Sequence, residues 1–207
     1  DEAEEKGAWP WLINRLINTK INNSNGGKIL LSPHSIENID ITNDGVGSKV
    51  LIYSYQGIPD SSAVRNLNGG EVELTVGGTW NIENGANSTM EFIFNLEGAN
   101  DIGSSVVSIN GTNSGNLTTS LIHSVYNEKD SRLINNQSGT LNIHGIVHGA
   151  GSLPAKATID NYGVTNFTGN SYLIQQYQGP SLNGAPRGIL NNFEGGIVNF
   201  KADSSYK

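Results

Sequence analysis

The feature that most constrains the fold is a motif that returns along the whole chain: a branched aliphatic, Asn or Asp, Asn, a short polar spacer, Gly, then alternating apolar residues. It reads Ile21-Asn22-Asn23-Ser24-Asn25-Gly26-Gly27-Lys28-Ile29-Leu30-Leu31 near the start. It returns as Leu67-Asn68-Gly69-Gly70-Glu71-Val72-Glu73-Leu74 and as Ile134-Asn135-Asn136-Gln137-Ser138-Gly139-Thr140-Leu141-Asn142-Ile143. Two further copies are Ile159-Asp160-Asn161-Tyr162-Gly163-Val164-Thr165-Asn166-Phe167 and Leu190-Asn191-Asn192-Phe193-Glu194-Gly195-Gly196-Ile197-Val198-Asn199-Phe200. Weaker relatives begin at Ile41, Ile82 and Ile109. The leading aliphatics recur at steps of roughly 25 residues, inside the range that marks stacked repeats.

A longer similarity runs through the intervening segments. Leu51-Ile52-Tyr53-Ser54-Tyr55-Gln56-Gly57 before Arg65 matches Leu173-Ile174-Gln175-Gln176-Tyr177-Gln178-Gly179 before Arg187, with Leu121-Ile122-His123-Ser124-Val125-Tyr126 before Arg132 between them. The repeating unit is therefore strand, polar loop, Arg, aliphatic, Asn turn, Gly, strand. Asn tolerates left-handed backbone and Gly enters it without a Cβ penalty, so each motif bends the chain sharply. The bends are assigned to Asn23, Gly26, Asn68, Gly69, Asn136, Gly139, Asn161, Gly163, Asn192 and Gly195. Alternating apolar residues after each bend point one side chain in and the next out. One such coil cannot bury its apolar face, whereas a stack can, with ladder hydrogen bonds between coils and room for internal Asn columns.

These features predict an all-β chain, a right-handed parallel β-helix (β-solenoid) occupying residues 21–207. An antiparallel sandwich is the structural rival, because Asn-Gly between apolar runs is also a hairpin signal. Residues 1–20 read as an acidic segment and a short helical cap, with Trp11, Leu12, Arg15, Leu16 and Thr19 at helix-like spacing and Pro10 near its start. A cap would shield an otherwise open strand edge. No matching cap is evident after the last repeat, which reads as a solenoid cut from a longer one.

Composition narrows the function classes. With 12 Lys and Arg against 19 Asp and Glu, the formal net charge is -7, and no basic cluster exists to neutralise phosphates, which argues against nucleic acid. The chain has no Cys, so thiolate metal sites, disulfides and Cys nucleophiles are excluded. No apolar run is long enough for a membrane-spanning helix.

The copies at 134–143 and 190–200 resemble the coils of bacterial autotransporter passenger domains and related large secreted β-helical adhesins, and the resemblance covers roughly residues 20–200. It implies export, display by a C-terminal β-barrel, an extracellular or cell-surface location, and adhesion, self-association or biofilm formation rather than catalysis. It implies as partner a host-surface glycan or protein, or another copy of the chain.

Parallel β-helices also include glycan-cleaving enzymes, which need paired carboxylates or clustered Asp for Ca²⁺. The acids here are spread thinly. Glu71 and Glu73 share a strand face, Glu128 and Asp130 with Arg132 read as a surface ion cluster, and Asp40 to Gly45 reads as a turn that lacks the distal Glu of a calcium loop. His144 and His148 share a strand face too far apart for one metal. No cofactor motif or Gly-x-Ser-x-Gly elbow is present. The residues best suited to binding are Tyr55, Tyr126 and Tyr177, which occupy one repeat position, with Gln56 and Gln178 beside two of them; aromatic faces next to amides suit sugars or a protein partner.

Overall fold

A computed structural model describes residues 15–54, 56–57, 61–76, 78–93, 107–124, 131–149, 157–168, 172–173 and 188–201. The first strands are β1 (Arg15–Ile17), β2 (Lys20–Ser24), β3 (Lys28–Leu31), β4 (Ser35–Glu37), β5 (Asp40–Asp44), β6 (Lys49–Tyr53) and β7 (Gln56–Gly57). The middle of the chain adds β8 (Ser61–Leu67), β9 (Glu71–Thr75), β10 (Gly78–Asn84), β11 (Thr89–Ile93), β12 (Val107–Asn113) and β13 (Asn116–Ser124). The last are β14 (Ser131–Asn135), β15 (Thr140–Gly149), β16 (Ala157–Asn161), β17 (Val164–Phe167), β18 (Tyr172–Leu173), β19 (Gly188–Asn192) and β20 (Ile197–Phe200). Among the described residues there is no helix, and therefore none long and apolar enough to cross a membrane.

The strands form a β-solenoid. An eight-stranded sheet runs β2-β5-β8-β10-β12-β14-β16-β19, a nine-stranded sheet follows β3-β6-β9-β11-β13-β15-β17-β20 with β18 beside β15, and a short third sheet joins β1, β4 and β7. The chain crosses from the first long sheet to the second at every Asn turn and returns one coil further along. The ladders of both long sheets are parallel, β2 to β5 and β3 to β6 included. The antiparallel sandwich is thereby ruled out for the described residues.

Period 2 explains the core. On β9, Val72 and Leu74 are buried while Glu71, Glu73 and Thr75 point out. Register stacks Val50, Val72, Met90, Leu117 and Leu141 into one inner column, and Ile52, Leu74, Phe92, Thr119 and Ile143 into another. The facing sheet contributes Ile21, Ile41, Val64, Ile82, Leu133 and Ile159. Trp80 reaches across to Phe92 edge-on, with ring centroids 5.9 Å apart. Fully burying each such aliphatic is worth about 1.5–3 kcal/mol, and no single coil could bury its own.

Two residues after the inner aliphatic of the eight-stranded sheet, or after Gly111 in one coil, comes an Asn that also points inward. Asn23, Asn43, Asn66, Asn84, Asn113, Asn135, Asn161 and Asn192 form a continuous amide ladder in which the Nδ2 of each of the first seven donates to the Oδ1 of the next: 2.8 Å from Asn23, 2.9 Å from Asn43, 3.1 Å from Asn66 and 2.8 Å from Asn84. The bonds from Asn113, Asn135 and Asn161 are each 2.8 Å. The direction of donation is fixed, because the same Nδ2 groups also donate to backbone carbonyls such as Glu71 O, Thr89 O and Val164 O in the adjoining coil. A carbonyl only accepts. The partners lie 20, 23, 18, 29, 22, 26 and 31 residues apart, which is the true coil spacing.

That register corrects three leading aliphatics. Val64, Gly111 and Leu133 align with Ile21, Ile41, Ile82, Ile159 and Leu190, in place of Leu67, Ile109 and Ile134. Leu67 and Ile134 point outward, since a displacement by an odd number of residues moves a strand's side chains to the opposite face. Asp40 to Asp44, read as part of a turn, is strand β5, and the bend begins at Gly45, whose carbonyl accepts from Ser48 N.

Of the assigned bends, Gly26, Asn68, Gly69, Asn136, Gly139, Gly163 and Gly195 lie at the corners between the two long sheets, whereas Asn23, Asn161 and Asn192 belong to strands β2, β16 and β19 and take part in the inner ladder. Asn68 and Gly69 hold φ of 51° and 83°, and Gly70 N closes the turn on Leu67 O at 3.1 Å. Gly163 serves closeness of approach instead, because a Cβ there would stand 2.3 Å from both Asn136 O and Gly139 O. Of the helical cap expected within 1–20, residues 1–14 lie outside the described residues, while Arg15–Ile17 is strand β1, paired in parallel with Ser35–Glu37. Those three residues gain ladder partners that a helix would forgo.

The two ends of the stack differ. At the first ladder coil Ile21 and Asn23 are only 8% and 7% exposed, whereas Phe200 at the last is 70% exposed.

Candidate functional site

Of the expected binding residues, Tyr55, Tyr126, Tyr177 and Gln178 lie outside the described residues. Gln56 belongs to β7, where its backbone pairs with Ser35 at the edge of the short third sheet. The surface features that the structure does describe lie elsewhere, on the edge made by the Asn turns and on the outer face of the nine-stranded sheet.

Because every turn sits directly above the preceding one, the turns form a continuous edge along the stack. Two shallow grooves adjoin there. The first, about 440 Å³, is lined by Val46, Leu67, Asn68, Gly69, Gly85, Ala86 and Asn87. The second, about 280 Å³, shares Ala86 and Asn87 and continues over Ser88, Thr89, Ser114, Gly115, Asn116, Ser138 and Thr140. Neither lining contains a charged side chain. One and two coils beyond Ser138, Tyr162 and Phe193 stack face to face, with centroids 4.4 Å apart and planes 6° from parallel, each 39% exposed. The edge thus carries hydroxyls, carboxamides, backbone groups and aromatic surface. Ser48 and Ser88 stiffen it, each hydroxyl accepting from a glycine N–H of the preceding turn at 3.1 Å.

A second cluster lies on the outer face of the nine-stranded sheet. Register sets Leu51, Glu73 and Glu91 opposite one another in successive coils. Tyr53 donates its hydroxyl to Glu73 Oε1 at 2.8 Å. Desolvation by burial, that hydrogen bond and the charges of Glu73 and Glu91 push the Tyr53 phenol up to about 12. Nearby, Lys49 Nζ approaches Glu71 Oε2 at 3.4 Å. The sequence placed Glu71 and Glu73 on one face, and the structure adds Tyr53 and Glu91. Those two were illegible because they are 20 and 18 residues from Glu73 and meet it only through coil register.

Other expected constellations separate. Glu128 and Asp130 lie outside the described residues, and Arg132 pairs instead with Asp160 of the next coil. The Asp160 carboxylate is nearly sealed, at 2% exposure, and also accepts from Asn191 Nδ2 at 2.8 Å. Asp40 pairs with Arg65 at 2.7 Å, and Asp44 Oδ1 accepts from Asn68 Nδ2 at 2.7 Å. His148 shares β15 with His144, and its backbone pairs in register with His123 of the preceding coil. Among the described residues no group of three or more His, Cys, Asp or Glu is arranged to hold a metal ion.

Comparison with protein-family models, with curated proteins and with solved structures finds no match to this chain.

Proposed function

We propose that this chain is an adhesive module of a secreted or cell-surface bacterial protein, attaching through the turn edge of its solenoid to a neutral glycan on a host surface. The observation that carries the reading is the pair of adjoining uncharged grooves, continued by the exposed Tyr162–Phe193 stack. Hydroxyls and carboxamides match the donors and acceptors of sugar hydroxyls, and aromatic surface suits the apolar face of a pyranose. A rigid edge repeated coil after coil favours many weak contacts over one deep pocket, as adhesion to a multivalent surface requires. The resemblance of the coils to those of autotransporter passengers supports the same reading.

The test is an array of immobilised glycans probed with the purified chain, alongside variants Ser138→Glu and Thr140→Glu. Binding to uncharged glycans that falls at least about tenfold in both variants, with unchanged far-UV circular dichroism, is the expected result, since each carboxylate must be desolvated against a polar groove. A blank array, or binding indifferent to both variants, overturns the reading. Binding to a host protein alone would move the partner class.

A second reading, glycan cleavage, rests on the Tyr53–Glu73–Glu91 cluster, because two carboxylates in adjacent coils are the minimal equipment of a glycosidase. It predicts release of reducing ends from a polysaccharide, abolished by Glu73→Gln and Glu91→Gln. Absence of release across a polysaccharide panel removes it.

A further inference from the structure

The corners of three successive coils converge at Gly69. A Cβ there would stand 2.9 Å from Val46 Cγ2 and 3.9 Å from the Asn87 carbonyl oxygen, so the first groove on the turn edge is open because this position carries no side chain. Val46, 83% exposed, stands on one side, and Leu67 and Ala86 add apolar surface to the same lining. Asn68 and Asn87 supply carboxamides.

Asn87 differs from its counterparts. Among the described residues, five other than glycine hold a positive φ, all of them asparagines: Asn18, Asn25, Asn38, Asn68 and Asn87. Asparagine tolerates that backbone better than most residues, and a side-chain hydrogen bond helps to hold it. Four of the five have one. Asn38 donates to Asn18 Oδ1 at 2.7 Å, Asn25 to Ser24 Oγ at 3.3 Å, and Asn68 to Asp44 Oδ1 at 2.7 Å. Asn87, with φ of 63°, has no partner at either end of its carboxamide among the described residues. It also lies where the two grooves meet. A backbone outlier with an open polar group, seated in a groove, points to a ligand contact.

We propose that the first groove is a subsite for the acetamido group of a neutral N-acetylhexosamine residue, recognised by Asn87. The inference rests on the reading of the turn edge as a glycan-binding surface and names the sugar that this surface takes. An acetamido group is planar, with its N–H and C=O on opposite sides and a methyl at its end. Asn87 Nδ2 is free to donate to the carbonyl. Asn68 has committed its Nδ2 to Asp44, which leaves Asn68 Oδ1 to accept the N–H. The methyl is covered by Val46, Leu67 and Ala86. A hydroxyl in place of the acetamido group would leave that apolar wall wet. The Asp44 carboxylate beside Asn68, and a lining without cations, select against acidic sugars. The rest of the glycan continues into the second groove, over Thr89, Ser138 and Thr140.

Calorimetric titration with two tetrasaccharides isolates the acetamido group. Chitotetraose carries one on every residue, and cellotetraose has hydroxyls there on the same backbone. Chitotetraose should bind the purified chain at least about tenfold more tightly, the combined effect of one covered methyl and two amide hydrogen bonds. Asn87→Gly should reduce that preference at least about fivefold while leaving cellotetraose binding as it was. Glycine accepts a φ of 63°, so this variant should keep its far-UV spectrum. Val46→Thr, at a side chain already exposed, should weaken chitotetraose binding alone by about threefold. Equal binding of the two tetrasaccharides overturns the inference, as does a preference that survives both variants. Tighter binding of a deoxyhexose glycan, which offers a methyl without the amide, overturns it too. If equal binding is still lost in Ser138→Glu, the glycan-binding reading stands without this subsite; if no glycan binds at all, that reading falls and the subsite with it.

Discussion

Each ladder asparagine makes hydrogen bonds that no apolar residue can replace. Asn113 illustrates it: its Nδ2 donates to Asn135 Oδ1 and to Thr140 O, and its Oδ1 accepts from Asn84. Asn113→Leu should cost about 3 kcal/mol in denaturant unfolding, because buried partners on both sides lose their match, while Asn192→Leu at the exposed end should cost under about 1 kcal/mol. Equal losses would contradict a directional ladder. The glycines divide in the same way. Gly26→Ala meets nothing within 4 Å and suffers only its φ of 77°, about 1 kcal/mol, whereas Gly163→Ala drives a methyl into two backbone oxygens and should lower the thermal midpoint far more. Tyr53 adds a pH signature. With its folded pKa raised from about 10 to about 12, it stabilises the fold fully below pH 10, and that contribution is lost as pH rises through about 12. Tyr53→Phe should flatten the decline of stability between those values, and absorbance at 295 nm should show one tyrosine titrating late in the native protein.

At the scale of the element, a corner was legible where the sequence states its geometry directly. Asn68-Gly69 announces two left-handed residues, and the structure has them. What the local sequence could not state was where the chain goes next. Ser24 to Gly27 and Leu67 to Gly70 close with the carbonyl-to-amide bond of a hairpin turn, yet their flanking strands leave into different sheets. The pairing partner is one coil away, so Asn-Gly signals a bend without choosing between hairpin and coil. The repeat spacing made that choice. Its register slipped at Leu67 and Ile134 because an aliphatic before Asn looks alike on either face, and only the inward position of Asn66 and Asn135 distinguishes them. The segment at Arg15 failed for a related reason, since spacing that suits a helix also suits a strand once a parallel neighbour, Ser35–Glu37, is on hand. Between elements, the Arg132–Asp160 pair is a sensitive contact. Arg132→Ala should destabilise by about 1–3 kcal/mol, less than a fully buried pair because the Arg132 side chain is 64% exposed, and adding Asp160→Asn should recover part of the loss. Strict additivity of the two substitutions in equilibrium unfolding would show that the pair is not coupled.

Across the whole molecule, the expected fold class emerged from periodicity alone, while the binding surface did not. The tyrosines chosen for a shared repeat position lie outside the described residues, and the grooves on the turn edge arise from turns that are 18 to 29 residues apart in sequence and adjacent only in the stack. Everything functional in the account therefore depends on successive coils lying parallel and in the stated register. A chain without cysteine allows that register to be measured directly. Thr118 and Asn142, Cα partners on the outer face of adjacent coils, stand at a separation compatible with a disulfide when both are replaced by Cys. Mild oxidation of the Thr118→Cys, Asn142→Cys variant should give an intramolecular disulfide in the folded protein, identified by mass spectrometry of the linked peptides. The sandwich alternative instead predicts a bridge across the Asn68-Gly69 turn, between Cys replacing Arg65 and Val72, which face each other when Leu67 pairs with Gly70 in a hairpin, and formation of that bridge without the first would contradict the solenoid.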